Sequence, residues 1–557
     1  MKNRSLLLTT LYLLFLAALT ACADAFFEGG NTGTAGIVVK SFVYFLLFAA
    51  FFAITERLLT AAHVHNTEHS WSRLFSYSRK NILRLALILF SVYFVYLLVF
   101  YPGVTSGDTI YQIEDLVTGF APMPYPSTYS NRTISALMID SNPVATTMIF
   151  TTFYRIGLLL GDANRGLFLY CLLQSAVLSV LFATMVCYMD RLQVPRSIAL
   201  VSTVFFASPI FASYAITMGK DVLFSLCFIL YFHVYAWLIL KPAARGGSGK
   251  QWLLLMLFSV IISLMNKKGV VLAVVSNLFL IFAVYGKRKL IAIPAALLPL
   301  LVINILMQYV LFPAFNIVPG GNQEVLGIAF QQTSLSLFEH PERYSEDEKE
   351  LFFSLLDLSP AELEEVYQPT ITDPIKNRLP YNPDHQHILS YLRMWANHFA
   401  DEAGTYLRAT LSISGGYFSP HKMFNVYQST PYSEALGAFS QPGFTESLRF
   451  SLGSLIYWLQ NIPIVSVFSQ DSFYTFWFPA FSFFALFRRT QLRKLVLLVP
   501  FATNLVFLFF APVCITRYGL CQLFTFPMLL AIVASPPSLQ IHGPSTDPSR
   551  KTQRLFS

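Results

Sequence analysis

Charge is what this chain has least of. Only 12% of its 557 residues are Asp, Glu, Lys or Arg, against 55% hydrophobic, and so little charge cannot clothe a water-soluble surface. Cysteine is scarce too. The six residues, at 22, 171, 187, 227, 514 and 521, lie in or beside apolar runs, with spacing that fits neither a disulfide framework nor a zinc site. None falls in the long polar stretch 313–471, which excludes thiol redox chemistry there. Histidines lack metal-ligand spacing: His63, His65 and His69 sit in a basic segment, and His340, His385, His387, His398 and His421 in the polar stretch read as surface or packing residues. No nucleic-acid-binding signature is present. The net charge of +8 is accounted for by Lys and Arg clustered between apolar runs, as loops on the inner membrane face require.

What the chain has in abundance is apolar length. Mean hydropathy is +0.55, Phe alone numbers 53, and runs of about 20 apolar residues recur, each able to cross a ~30 Å hydrocarbon layer as a helix. Helices satisfy their own backbone in lipid, so an all-α polytopic bundle is expected. Spans are predicted at 5–22, 37–59, 82–100, 167–189, 198–218, 222–240, 252–265, 270–285, 290–312, 473–487, 495–510 and 520–534, about 12 in all. Leu19-Thr-Ala-Cys22 also resembles a lipobox, but a signal-anchor helix is the reading taken. The segments 143–160 and 448–468 are less apolar and read as juxtamembrane or re-entrant pieces. Five regions follow: anchor spans and a basic inner loop (1–81), a transmembrane core (82–312) with first outer loop 101–165, a small, mostly helical extracytoplasmic domain with the re-entrant segment (313–471), C-terminal spans (472–534) and a Pro/Ser-rich cytoplasmic tail (535–557) read as disordered. Ser345 and Glu348 form a predicted capping box, Ser359-Pro360 starts another helix, Asp373-Pro374 and Asn382-Pro383 mark turns, and His387 to Ile413 reads as one amphipathic helix.

The chemistry-bearing residues gather on the predicted outer rim. Asp108 follows the flexible turn Thr105-Ser-Gly where a span ends. Partly dehydrated, its carboxylate is a candidate general base; the competing reading is an N-cap for the helix that follows, which spacing alone slightly favours. Glu114 and Asp115 lie on that helix as solvated carboxylates, Glu114 being a candidate substrate contact. Lys220-Asp221 sits at the lip between two apolar spans, where Lys suits a phosphate and Asp a metal or an orienting role, weighed evenly against a simple ion pair. Lys267 and Lys268, beside Asn266, and Arg517 place cations outside, against the positive-inside bias, and cations there call for an anionic partner such as a lipid phosphate. Two acids and several cations on one rim suit group transfer from a phosphate-linked lipid.

The ordered series Tyr101-Pro-Gly-Val, Asp108-Thr-Ile-Tyr-Gln, Ser141-Asn142-Pro143, Ser208-Pro209 and Gly219-Lys220-Asp221 resembles GT-C-type integral-membrane glycosyltransferases. More narrowly it is similar to bacterial polytopic proteins related to the protein mannosyltransferase and aminoarabinose transferase families. Gln331-Gln332, Ser345-Glu-Asp-Glu-Lys349, Tyr367 to Lys376, Gly416-Tyr417-Phe-Ser-Pro420 and Arg517-Tyr518 extend the likeness over most of the chain from Ile82. The resemblance implies a GT-C-like bundle and inverting transfer from a polyprenyl-phosphate-linked sugar to an extracytoplasmic acceptor at the cell membrane. It implies Asp108 as base, Asp221 as an acidic residue linked in some members to a divalent cation (Mg or Mn), and Arg517 as a ligand for the lipid phosphate. Asn142 stands where those relatives carry His or Lys, on the acceptor or phosphate side, and Asn266-Lys-Lys-Gly departs from an Arg-containing pattern. Two other classes stay open: a flippase or transporter of lipid-linked sugars, against which no inverted repeat is found, and a surface-polysaccharide polymerase or ligase.

Overall fold

A computed structural model describes residues 2–64, 70–118, 137–240, 247–321, 323–380, 383–430, 433, 436 and 439–536. His65, His69, Asn382, the greater part of the basic loop 241–250 and nearly all of the tail 535–557 fall outside these residues.

Long apolar helices dominate. They are α1 (Lys2–Phe26), α2 (Thr34–Val64), α3 (Arg79–Val99), the short α4 (Gly107–Thr118), α5 (Val144–Leu159) and α6 (Ala163–Arg191). Next come α7 (Arg196–Phe206), α8 (Pro209–Ala215), α9 (Lys220–Leu240), α10 (Gly249–Met265), α11 (Lys268–Ala283) and α12 (Lys287–Ala314). Among the described residues, eight helices are long and apolar enough to cross a membrane, or nine if the bent pair α7–α8 is one span. The protein is therefore an all-α polytopic membrane protein. Caps start several helices: Ser78 accepts from the Asn81 backbone N–H, Asp162 accepts from that of Asn164, and Ser248 forms a capping box with Gln251.

The predicted single span 198–218 is two helices bent by 56°. Pro209 opens the second at its first turn behind Ser208, because proline cannot donate to the preceding turn. Inside the bundle, polar side chains close on one another rather than face lipid. The Tyr231 hydroxyl donates to Asn277 Oδ1 (3.0 Å), and the Asn277 amide donates to Ser259 Oγ and to the Ala295 carbonyl (2.9 Å each).

The helices α13 (Gln323–Glu339), α14 (Glu346–Leu356), α15 (Pro360–Val366), α16 (Asp373–Lys376), α17 (His385–Asn397) and α18 (Phe399–Ser414) pack around Phe330, Phe352 and Tyr391. Both predicted Ser/Glu capping boxes are present. Asp373-Pro374 opens a one-turn helix instead of a plain turn, and the predicted helix 387–413 is broken at His398. Segment 448–468 forms α19 (Glu446–Gln460) and α20 (Pro463–Val467), separated where Asn461 and Pro463 interrupt the backbone ladder. The chain closes with α21 (Phe478–Arg488), α22 (Leu492–Phe509) and α23 (Thr516–Ala534).

Among the described residues, four very short strands decide where the loops lie. β1 (Val104–Thr105) pairs in parallel with β3 (Thr217–Met218), and β2 (Met138–Asp140) with β4 (Ile317–Pro319). The first pair ties the exit of α3 to the entry of α9. Gln174 reinforces it from α6, donating to the carbonyls of Ala215 (3.0 Å) and Thr217 (2.9 Å). Gly103, at φ +120°, must be glycine: a Cβ there would stand 2.5 Å from Cys171 Sγ.

Candidate functional site

The ends of α3, α9, α10 and α23 meet at one end of the bundle, and the charged residues of that end are drawn into one cluster. Asp108 occupies the first turn of α4. The capping role falls to Ser106, whose Oγ accepts from the Thr109 backbone N–H (3.3 Å). The reading of Asp108 as the N-cap is thus corrected: the serine two positions earlier satisfies the turn and leaves the carboxylate free. Thr109 Oγ1 donates to the Met218 carbonyl (2.8 Å), which fixes α4 against β3.

Asp108 Oδ2 lies 3.2 Å from Lys220 Nζ and 3.0 Å from Arg517 Nη1. Arg517 Nε lies 3.7 Å from Asp221 Oδ2, and the Asn266 amide donates to Asp221 Oδ1 (3.0 Å). Lys220 also donates to Asn142 Oδ1. Asp221 is nearly buried, with 5% of its side chain exposed, whereas Asp108 keeps 32% and faces solvent. Burial pushes the Asp108 carboxyl up, but the Lys220 ammonium and the Arg517 guanidinium outweigh it and hold the group below its ordinary value.

Not every candidate joins. Lys268 turns to the Tyr518 carbonyl (2.7 Å) and lies over the Phe224 ring, 5.1 Å from its centroid. It braces the residue after Arg517. Lys267 pairs with Asp140, 3.2 Å from Oδ2. Glu114 accepts from the Ser433 hydroxyl and is not part of the ion-pair cluster. Its neighbour Asp115 is pushed up to about 6, by burial first and then by the Glu114 charge.

Sequence reasoning missed three residues at or beside the cluster. Asp140 stands two residues before Asn142, close enough to have been weighed with it. Tyr427 lies close enough to Arg517 for the guanidinium charge to act on its hydroxyl. Asp471, pushed up to about 8 by burial, accepts from Thr516 Oγ1 (3.0 Å) and so holds the residue before Arg517. Tyr427 sits in a loop without any local pattern, and Asp471 opens the helical run that leads into α21. A dedicated metal fits this donor set poorly. Asp221 is occupied by Asn266 and Arg517, and among the described residues no three His, Cys, Asp or Glu come together as a metal site.

No curated protein and no solved structure matches the chain. The family described as a family of unknown function (DUF6020) matches residues 3–542, nearly the whole length, and the chain belongs to that family.

Proposed function

We propose that this protein is a membrane glycosyltransferase that moves a sugar, with inversion, from a polyprenyl-phosphate donor to an extracytoplasmic acceptor. The observation that carries the reading is the meeting of Asp108, Lys220, Asp221 and Arg517, drawn from distant parts of the chain. Asp108 takes the proton of the acceptor hydroxyl as its oxygen attacks the anomeric carbon. The bond from that carbon to the phosphate oxygen breaks, and the electron pair leaves with the phosphate. Lys220 and Arg517 bear the charge that develops there. In the free protein these cations face Asp108 and weaken it as a base. A bound phosphate draws them away, and the carboxylate regains basicity at the moment it is needed. Asp221 and Asn266 hold the Arg517 side of the site, and no step is routed through a divalent cation.

The finer architecture belongs to the same reading. Adding α10, α11 and the segment ending in α21 to the nine spans brings the crossings to about 12 in a GT-C-like arrangement, with α5, α19 and α20 at the outer interface. The cluster then faces the extracytoplasmic side of the cell membrane.

The test is lipid profiling. A strain lacking the gene, complemented with Asp108→Asn, should accumulate polyprenyl-phosphate sugar as the uncomplemented strain does, while the variant reaches wild-type abundance in membranes. Lys220 keeps Asn142 and Arg517 keeps Asp221 in that variant, so folding should survive. Clearance of the lipid-linked sugar to wild-type level would remove Asp108 from the mechanism.

A further inference from the structure

A cleft of about 350 Å³ lies beside the cluster, between the start of α5, the α10–α11 turn and the second half of α12. That volume is at the lower end of small-ligand pockets. Leu264, Val271 and Met307 give it apolar walls, interrupted on α12 by Asn304 and Gln308. Val271 is 45% exposed, so the cleft opens on the apolar perimeter of the bundle, where lipid chains lie. Residues 301–311 of α12 form wide π-helical turns, an arrangement favoured at functional sites.

One end of the cleft is charged. Lys267 lies 3.2 Å from Asp140 Oδ2 and donates to the Asp140 carbonyl as well. A Cβ on Gly320, just past β4, would meet that carbonyl at 2.4 Å, so only glycine lets the strand pair approach this closely. Two chain segments carry the charged end to the cluster in one step each. Asn142, bonded to Lys220, is followed by Pro143 in the cleft wall, and Asn266, bonded to Asp221, by Lys267. Lys267 is 54% exposed while Asp140 is 20% exposed, so the lysine is the partner free to move. Asp140 would not be stranded, because 20% of its side chain is exposed and water reaches it when the lysine leaves.

We propose that the Asp140–Lys267 pair is a latch over a lipid slot: the phosphate of the lipid substrate draws Lys267 off Asp140 as its hydrocarbon chain enters the cleft. This rests on the transferase reading for the identity of the lipid. The occupant is the lipid-linked substrate, not bulk phospholipid, because the slot's charged end is joined to the cluster through two chain segments, Asn142–Pro143 and Asn266–Lys267. Asp140 has an inhibitory part, competing with the phosphate for the same ammonium.

The full-length protein in phosphatidylcholine nanodiscs is offered three probes: a polyprenyl phosphate, the corresponding polyprenol and phosphatidylglycerol. Retained lipid is read by native mass spectrometry. The phosphate should bind at least tenfold better than the polyprenol. Val271→Trp, a filling of the slot at a half-exposed position, should abolish retention, and Lys267→Gln should weaken it about tenfold. Asp140→Asn should bind the phosphate at least as well as wild type. Weaker binding by Asp140→Asn overturns the latch; unchanged binding by Val271→Trp and Lys267→Gln overturns the slot. Phosphatidylglycerol competing equally overturns the assignment to substrate. Failure of the transferase reading looks different: retention follows the expected pattern, yet deletion of the gene leaves lipid-linked sugars unchanged.

Discussion

One carboxylate oxygen of Asp108 faces two cations, Lys220 and Arg517, at 3.2 and 3.0 Å, and the pH behaviour follows from that count. A base must be ionised, so transfer should fall on the acid side as pH drops through the Asp108 pKa. Removing one cation lets that pKa rise. The acid limb of the pH profile of kcat/KM for Lys220→Gln, which reports the free enzyme, should therefore move toward neutrality relative to wild type, whatever the loss in rate. An unmoved limb would mean that another group limits the rate at low pH. The stability sign runs the same way. A carboxylate depressed in the fold contributes stability above its unfolded value, about 3.9, and that contribution is lost as pH falls through the folded pKa. At this scale the sequence marked Asp108, Lys220, Asp221 and Arg517 as charges at the ends of apolar runs, because a charge there is costly without a reason. It carried no sign of who pairs with whom. Ser106 against Asp108 as cap was a choice between two good cap formers in three positions, settled by packing against β3.

The parallel pair β1–β3 is only two residues long on each side, far too short to hold by itself. It persists because α6 supplies donors to its open carbonyls. Gln174 Nε2 reaches Ala215 and Thr217, and Tyr170 holds the other end of that amide through Oε1 (2.9 Å). Gln174→Leu takes the amide from the Thr217 carbonyl and the acceptor from the buried Tyr170 hydroxyl, while Ala215 keeps only Ser175 Oγ (3.0 Å), at a cost of about 1–3 kcal/mol. The expected result is a lower thermal midpoint in detergent together with reduced transfer, since α4 and α9 lose their common anchor. Unchanged stability would show that water replaces the amide. Period and capping signals located most helices, including both serine-capped helices of the segment 313–471. They failed where tertiary demands break a run. The stretch 198–218 is uniformly apolar yet bends at Ser208-Pro209 to bring Lys220 round to β1, and 387–413 is periodic throughout yet breaks at His398, beside Glu348 (3.2 Å). Pairing of residues 113 apart, as in β1 with β3, leaves no local trace at all.

For the whole molecule, the reading requires that the cluster and the small helical unit 323–414 share one side of the membrane, opposite the basic turns. The charge pattern supports this. Lys287, Arg288 and Lys289 open α12 just after α11, at the opposite end of those helices from Lys267 and Lys268 or from residues 313–319. Apolar length made the membrane class legible at once, but the number of crossings was not, because α10 and α11, with 17 and 16 residues, are near the minimum that spans. Introduced cysteines decide the arrangement. Five of the six native thiols are buried and Cys22 is partly so, which keeps the background low. Glu365 and Lys287 are both exposed and belong to opposite ends. In intact cells a membrane-impermeant maleimide should label Glu365→Cys and spare Lys287→Cys, and permeabilisation should add the second. The reverse pattern would put Asp108 and Arg517 in the cytosol, where nucleotide sugars serve as donors and a base positioned for a polyprenyl phosphate on the outer leaflet has no substrate. Labelling of both in intact cells would break the opposition of the two ends, and with it the positive-inside argument that sets the direction of every span.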